Sequence, residues 1–115
     1  MEIWHNSRCS KSRAAKAALE EAGLEFSERR YLEDAPSVAE LEEVLGKLGL
    51  EPWDITRMNE PVAKELGLRD AEHDRKRWLE TLAAHPSLIQ RPIVITDDGR
   101  AYVARDEDSL GQALS

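Results

Sequence analysis

Glu2-Ile3-Trp4-His5-Asn6-Ser7-Arg8-Cys9-Ser10-Lys11-Ser12-Arg13 decides how this chain folds. Ile3 and Trp4 read as the end of a first strand, and from Lys11 a helical pattern begins. Between them lies the single cysteine, at the place where a strand hands over to a helix. The first four N–H groups of a helix have no intrahelical partner, and with the helix dipole they favour negative charge. A thiolate is such a charge, and cysteine pKa falls at helix N-termini and beside cations. His5, Arg8, Lys11 and Arg13 can add positive potential, and Ser10 and Ser12 can donate O–H groups to the sulfur. A lone cysteine is also common as a small buried hydrophobe. Flanking arginine, lysine and serine residues are not the surroundings of a core side chain, and they favour a reactive thiol.

Outward from this stretch, Ala15, Ala18, Leu19 and Ala22 recur at helical spacing up to Gly23, a natural residue to follow a helix end. A second strand is expected near Phe26–Arg30, which makes the first thirty residues β-α-β with parallel strands and a right-handed crossover. Ser37-Val38-Ala39-Glu40 is a capping box, after which Val38, Leu41, Val44, Leu45 and Leu48 line one helix face, ended by Gly49. A short helix is expected from Asn59-Glu60-Pro61 to Leu66-Gly67. A longer one runs from Asp74 to Ala84, with Trp78, Leu79 and Leu82 inward. Pro92 to Thr96 is an apolar, β-branched strand. Asp97-Asp98-Gly99-Arg100 reads as a type I′ hairpin turn, with a returning strand to Val103. Residues 106 to 114 form a last helix.

The order β-α-β, helices, β-β-α predicts an α/β chain of the thioredoxin-like class: a βαβ half, then a ββα half. A helical insertion separates the halves at about 37–84, within one domain spanning 1–115. Such folds carry their active cysteine after the first strand, where Cys9 stands. One cysteine excludes an intramolecular disulfide and fits a reducing compartment, and neither a signal peptide nor a membrane span is visible, so a cytoplasmic protein is expected. The 16 basic and 23 acidic side chains give a net charge of −7, which argues against nucleic-acid binding. Against that acidic background, the basic cluster around the thiol suits an anion. His5, His73 and His85 lack metal-ligand spacing.

The pattern His5-Asn6-x-x-Cys9-x-x-Ser12-Arg13 resembles the active-site loop of the glutaredoxin-linked arsenate reductases. Further matches follow in the family's order. They are Tyr31-Leu32; Arg57 with Glu60-Pro61 and Glu65-Leu66-Gly67-Leu68; His85-Pro86 with Leu88-Ile89-Gln90-Arg91-Pro92-Ile93-Val94; and Gly99-Arg100-Ala101 followed by Arg105. The likeness covers nearly the whole chain. Its family also includes redox regulators of RNA polymerase, which usually carry Cys-x-x-Cys, and related small thiol reductases. Ser12 replaces the second cysteine of that dithiol here, Ser7 stands where many relatives have proline, and Asp106 does so after Arg105.

The resemblance implies arsenate reduction with Cys9 as nucleophile, His5 (if protonated) stabilising the thiolate, and Ser12 hydrogen-bonded to the sulfur. It assigns the oxyanion to Arg57, Arg91 and Arg105, whose planar forks bond two oxygens at once. Asn6 and Pro92 are structural neighbours of the site, and a cis Arg91–Pro92 bond is expected, as in thioredoxin-like folds. No cofactor is implied. Glutathione is the co-substrate, glutaredoxin resolves the mixed disulfide, and a monomer is expected. Two other readings remain open: a glutathione-dependent thiol reductase of another substrate, and a binding protein like the transcription regulators, with the helical middle as its partner surface.

Overall fold

The computed structural model describes residues 1–105 and 111–113. The chain divides into two compact units, Met1–Asp34 with the chain from Arg91 onward, and Ala35–Gln90. The interposed unit is wider than the expected insertion at 37–84. Beyond the helix ending at Ala84, a 3₁₀ turn at Pro86–Leu88 and a bridge between Thr56 and Ile89 tie the following residues into it.

The first unit is the thioredoxin-like one. Strand β1 (Glu2–Trp4) leads to helix α1 (Ser10–Glu21) and strand β2 (Ser27–Arg29), and after the second unit come β3 (Ile93–Ile95) and β4 (Ala101–Val103). The sheet order is β2-β1-β3-β4. β1 pairs parallel with β2, Ile3 opposite Glu28, and antiparallel with β3, Ile3 opposite Val94. A βαβ half and a ββ hairpin thus share one sheet with β1 central. Successive strand residues face opposite sides, and Ile3 and Trp4 are both buried, so β1 is covered on both faces. On the Ile3 side the core gathers Ala15 and Leu19 of α1, Val94, Ala104 and Ala113, with Met1, Leu24, Phe26 and Tyr102 packed around them.

Helix α1 starts at Ser10, one residue before the expected Lys11, because Cys9 itself is the N-cap. Ala15 and Leu19 face inward as the periodicity requires, while Ala22 is exposed. Gly23 follows the helix at φ +72°, a left-handed conformation that costs glycine little. The hairpin differs from the expected type I′ turn. That turn needs positive φ at both central residues, and among the described residues no non-glycine has one. Gly99 alone is left-handed, its N–H donates to the Thr96 carbonyl at 3.2 Å, and Thr96 N–H donates to the Arg100 carbonyl at 2.8 Å. This is a three-residue loop, a type I turn closed by glycine. Of the helix expected over 106–114, residues 111–113 are helical and Ala113 is buried; the remainder, Asp106 included, lies outside the described residues.

In the second unit, α2 (Val38–Leu48) opens on the expected capping box. Ser37 accepts from Glu40 N–H, Glu40 accepts from Ser37 N–H, and Gly49 ends the helix at φ +70°. Leu41, Val44 and Leu45 are buried on one stripe. The short helix α3 (Pro61–Glu65) takes proline at its start, and α4 (Arg75–Ala84) is capped by Asp74 with Trp78, Leu79 and Leu82 buried. Sequence periodicity missed the 3₁₀ turns at Pro52–Ile55, Leu68–Asp70 and Pro86–Leu88, each too short to show a repeat. Among the described residues no helix is long and apolar enough to cross a membrane.

Candidate active site

The loop between β1 and α1 is built by its own polar groups. Asn6 Oδ1 accepts from Arg8 N–H at 3.0 Å, an Asx turn, and the Asn6 carbonyl accepts from Cys9 N–H at 3.0 Å. Arg13 reaches back from the first turn of α1 to the Ser7 carbonyl at 3.0 Å. These bonds hold the chain in a tight bend with Ser7, not proline, at its centre. Cys9 is left with extended backbone, φ −97° and ψ 123°, at the mouth of the helix.

The Cys9 side chain is 9% exposed. Burial by itself pushes a thiol pKa up. Here that effect is overcome by the backbone N–H groups of Ser12 and Lys11 and by the Arg91 guanidinium, and the thiol lies below its ordinary range. None of the N–H groups makes a cap hydrogen bond of ordinary geometry to the sulfur, so they act as aligned dipoles. Arg8, Lys11 and Arg13, the cations adjacent in sequence, are exposed. The cation at the thiol is Arg91, which the fold brings there from far along the chain.

His5 is 4% exposed. Burial depresses its pKa below 6.5; the nearby Glu28 carboxylate opposes this, while Lys16, Arg30 and Arg13 reinforce it. The shift favours the neutral imidazole. The protonated form, on which the expected role of His5 was conditional, is therefore disfavoured: desolvation of the buried ring outweighs one carboxylate. Ser12 also differs from expectation. Its hydroxyl is engaged by His5 Nδ1 at 2.7 Å and accepts from Asn6 N–H at 3.0 Å, so it is the backbone N–H of Ser12, not its O–H, that serves the sulfur. Ser12 is fully buried on the same α1 face as Ala15 and Leu19, which is why its side chain turns toward β1.

Arg91 and Pro92 are joined by the expected cis peptide bond immediately before β3. Arg91 Nε is buried with no hydrogen-bond partner among the described residues. The Arg91 carbonyl accepts from Arg105 Nη1 at 2.8 Å, so the first unit gathers His5, Cys9, Ser12, Arg91 and Arg105. The remaining expected arginine, Arg57, belongs to the second unit, where it is ion-paired with Glu60 and donates its backbone N–H to the Leu88 carbonyl at 2.7 Å. Sequence reasoning overlooked Glu28. It sits opposite Ile3 in the parallel β1–β2 register and bonds Lys16 at 2.7 Å and Arg30 at 3.0 Å. No local pattern signals a parallel register.

A thiol at the N-cap of α1 thus stands beside an arginine that precedes a cis-proline strand. The ArsC family model matches residues 4–113. The chain belongs to the ArsC family. Its relatives span its length. A Neisseria meningitidis protein named arsenate reductase is 39% identical over 115 residues, covering 99% of this chain and 97% of that one. A Streptomyces viridochromogenes protein, named only as an uncharacterized protein in the glnII region, is 52% identical over 118 residues, covering 100% and 99%. Among solved structures, the Vibrio cholerae arsenate reductase matches at 39% identity with a TM-score of 0.86, over 99% of this chain and 96% of that one.

Proposed function

We propose that this ArsC-family protein reduces arsenate, or a tetrahedral oxyanion like it, with Cys9 as the nucleophile. The observation that carries the reading is the thiol's own setting: buried, yet held below the ordinary thiol range by Arg91 and the N–H groups of α1. Relatives named arsenate reductase, similar along the whole chain, support the substrate. In the first step the Cys9 thiolate attacks arsenic and an arsenate oxygen leaves as hydroxide or water, forming a sulfur–arsenic bond. A glutathione thiolate then attacks the Cys9 sulfur. The electron pair of the sulfur–arsenic bond passes to arsenic, which departs as arsenite, and a Cys9–glutathione disulfide remains. A second thiol, delivered by glutaredoxin, restores Cys9. An external resolving thiol is required, because the chain has one cysteine.

Arg91 and Arg105 are the oxyanion-binding groups of the first unit, and Arg57 is the third. His5 acts in its neutral form, positioned through Ser12, and Asn6 and Pro92 shape the loop and the strand that face the thiol. The cytoplasm, where glutathione keeps thiols reduced, is the compartment this chemistry needs. The test is arsenite release from arsenate in the presence of glutathione and glutaredoxin. Absence of turnover while Cys9 still exchanges with glutathione disulfide would favour the second reading, a glutathione-dependent reductase of a different substrate. One observation favours that alternative: Arg57 is already ion-paired with Glu60, so its charge is committed before any oxyanion arrives.

A further inference from the structure

Four polar side chains meet on the α1 face of the sheet, behind the thiol loop. His5 extends β1: its backbone N–H donates to the Arg29 carbonyl at 2.8 Å, so the alternation of faces runs on and His5 shares the side of Ile3. Glu28 pairs with Ile3 in the parallel register and stands on that side too. Ser12 and Lys16, four residues apart on α1, cover both. The contacts agree: Ser12 Oγ is 2.7 Å from His5 Nδ1, and Lys16 Nζ is 2.7 Å from Glu28 Oε1. Donor and acceptor counts then fix the proton on the ring. Ser12 Oγ already accepts from Asn6 N–H, and its own O–H finds its acceptor in Nδ1, so the neutral imidazole carries its proton on Nε2. Glu28 has acceptor capacity to match. Its Oε2 accepts from Arg30 Nε at 3.0 Å, but the buried Oε1 receives no hydrogen bond among the described residues, because Lys16 lies off the hydrogen-bonding direction.

We infer that Glu28 is a positioning residue of the thiol site: its carboxylate fixes His5 as the Nε2–H tautomer and thereby keeps the Ser12 hydroxyl on Nδ1, anchoring the loop that carries Cys9. The inference rests on the reading of Cys9 as the reactive group. No hydrogen bond or ion pair joins Glu28 to His5 among the described residues, so the carboxylate acts through its field, which water screens little around a buried imidazole. The opposite tautomer would set an Nε2 lone pair in that negative field and would make Ser12 Oγ accept twice, leaving its O–H to find another acceptor. Of the charges facing His5, Glu28 on β2 attracts a proton to the ring, whereas Lys16 and Arg13 from α1 and Arg30 beyond β2 oppose it.

The test is nitrogen NMR of the full chain labelled at its histidine rings, at about pH 8, above the ordinary histidine value. His5 is picked out among the three histidines by its loss in His5→Gln. The wild type is expected to show a protonated Nε2 and an acceptor Nδ1. Glu28→Gln keeps the shape and removes the charge. In it the two nitrogen signals should move toward each other as the tautomers mix, the Asn6 N–H should exchange faster with solvent, and the His5 titration midpoint should fall. Lys16→Met breaks the ion pair but keeps the carboxylate, so the tautomer should stay and the midpoint should rise. The inference is overturned if wild-type His5 carries its proton on Nδ1, or if Glu28→Gln leaves both signals unchanged. It is also overturned if Lys16→Met mixes the tautomers as much, which would make the ion pair a structural brace only. All of these signals are read without arsenate. A chain that fails to reduce arsenate leaves them standing, and a failed tautomer assignment leaves the role of Cys9 untouched.

Discussion

Ser12 Oγ lies 2.7 Å from His5 Nδ1 and accepts the Asn6 N–H at 3.0 Å, which joins the last residue of the β1 extension to the first turn of α1 beneath the thiol. Both side chains are buried, so neither bond has water as a substitute. Ser12→Ala strands the Asn6 N–H and the imidazole nitrogen, at a cost of about 1–3 kcal/mol. Chemical denaturation is the measurement. The loop around Cys9 also loses its anchor, so thiol reactivity falls along with stability.

His5 gives the protein a pH signature near neutrality. Its pKa in the folded state lies below 6.5, mainly through burial, so the unfolded chain binds the proton first as pH falls. The contribution is fully present above the unfolded value of about 6.5 and is lost as pH drops from there toward the folded value. The denaturation midpoint of the wild type should decline between about pH 7.5 and 5.5 more than that of His5→Gln. Parallel curves for the two proteins would mean that His5 titrates normally in the fold.

Cys9 behaves with the opposite charge. Its depressed pKa means that the thiolate persists to lower pH than in the unfolded chain, whose value is about 8.5. The associated stabilisation is present above that value and disappears as pH falls through the folded pKa. Alkylation by iodoacetamide against pH should give a midpoint below 8.5. In Arg91→Met the midpoint should rise, because the guanidinium at the sulfur is gone while the backbone N–H groups remain. An unchanged midpoint in that variant would assign the whole effect to the helix.

Cys9→Ser tests the nucleophile. A hydroxyl of nearly the same size fits the N-cap position, where serine is favoured, so the variant should fold with unchanged or slightly raised stability. It should have no reductase activity, since the hydroxyl is not ionised at neutral pH. Circular dichroism and the coupled glutathione assay together decide the matter. Residual turnover would remove Cys9 from the chemistry.

Arg105→Ala removes the donor to the Arg91 carbonyl, which lies at 2.8 Å. Losing a charge-assisted contact of this kind costs about 1.5–3 kcal/mol. If Arg105 also contacts the oxyanion, kcat/KM for arsenate should fall at least about tenfold. The discriminating observation is whether the loss appears with arsenate while exchange with glutathione disulfide is spared. Equal losses in both would make Arg105 a scaffold for Arg91 only.

The sequence by itself determined what nearest neighbours control. The capping box at Ser37, the glycine that ends α2 and the stripe of α4 follow from periodicity and local hydrogen bonding, and the helices lie within a residue or two of where these placed them. The β-α-β and β-β order and Cys9 at the helix mouth were legible for the same reason, while the cis bond before Pro92 was expected from the likeness to thioredoxin-like folds, and family likeness added the roles. The hairpin loop was misread because Asp-Gly suits two turn geometries, and the strand pairing around it selects one. Tertiary structure alone decided the charge of His5, the partners of the Ser12 hydroxyl and the cation at Cys9. Charge state depends on burial, and on groups such as Glu28 and Arg91 that only strand register brings close. The sequence offered three neighbouring cations for the thiol. The fold left those three exposed and set Arg91, distant in the chain, against the sulfur, where partial burial just before β3 strengthens its field while water screens theirs.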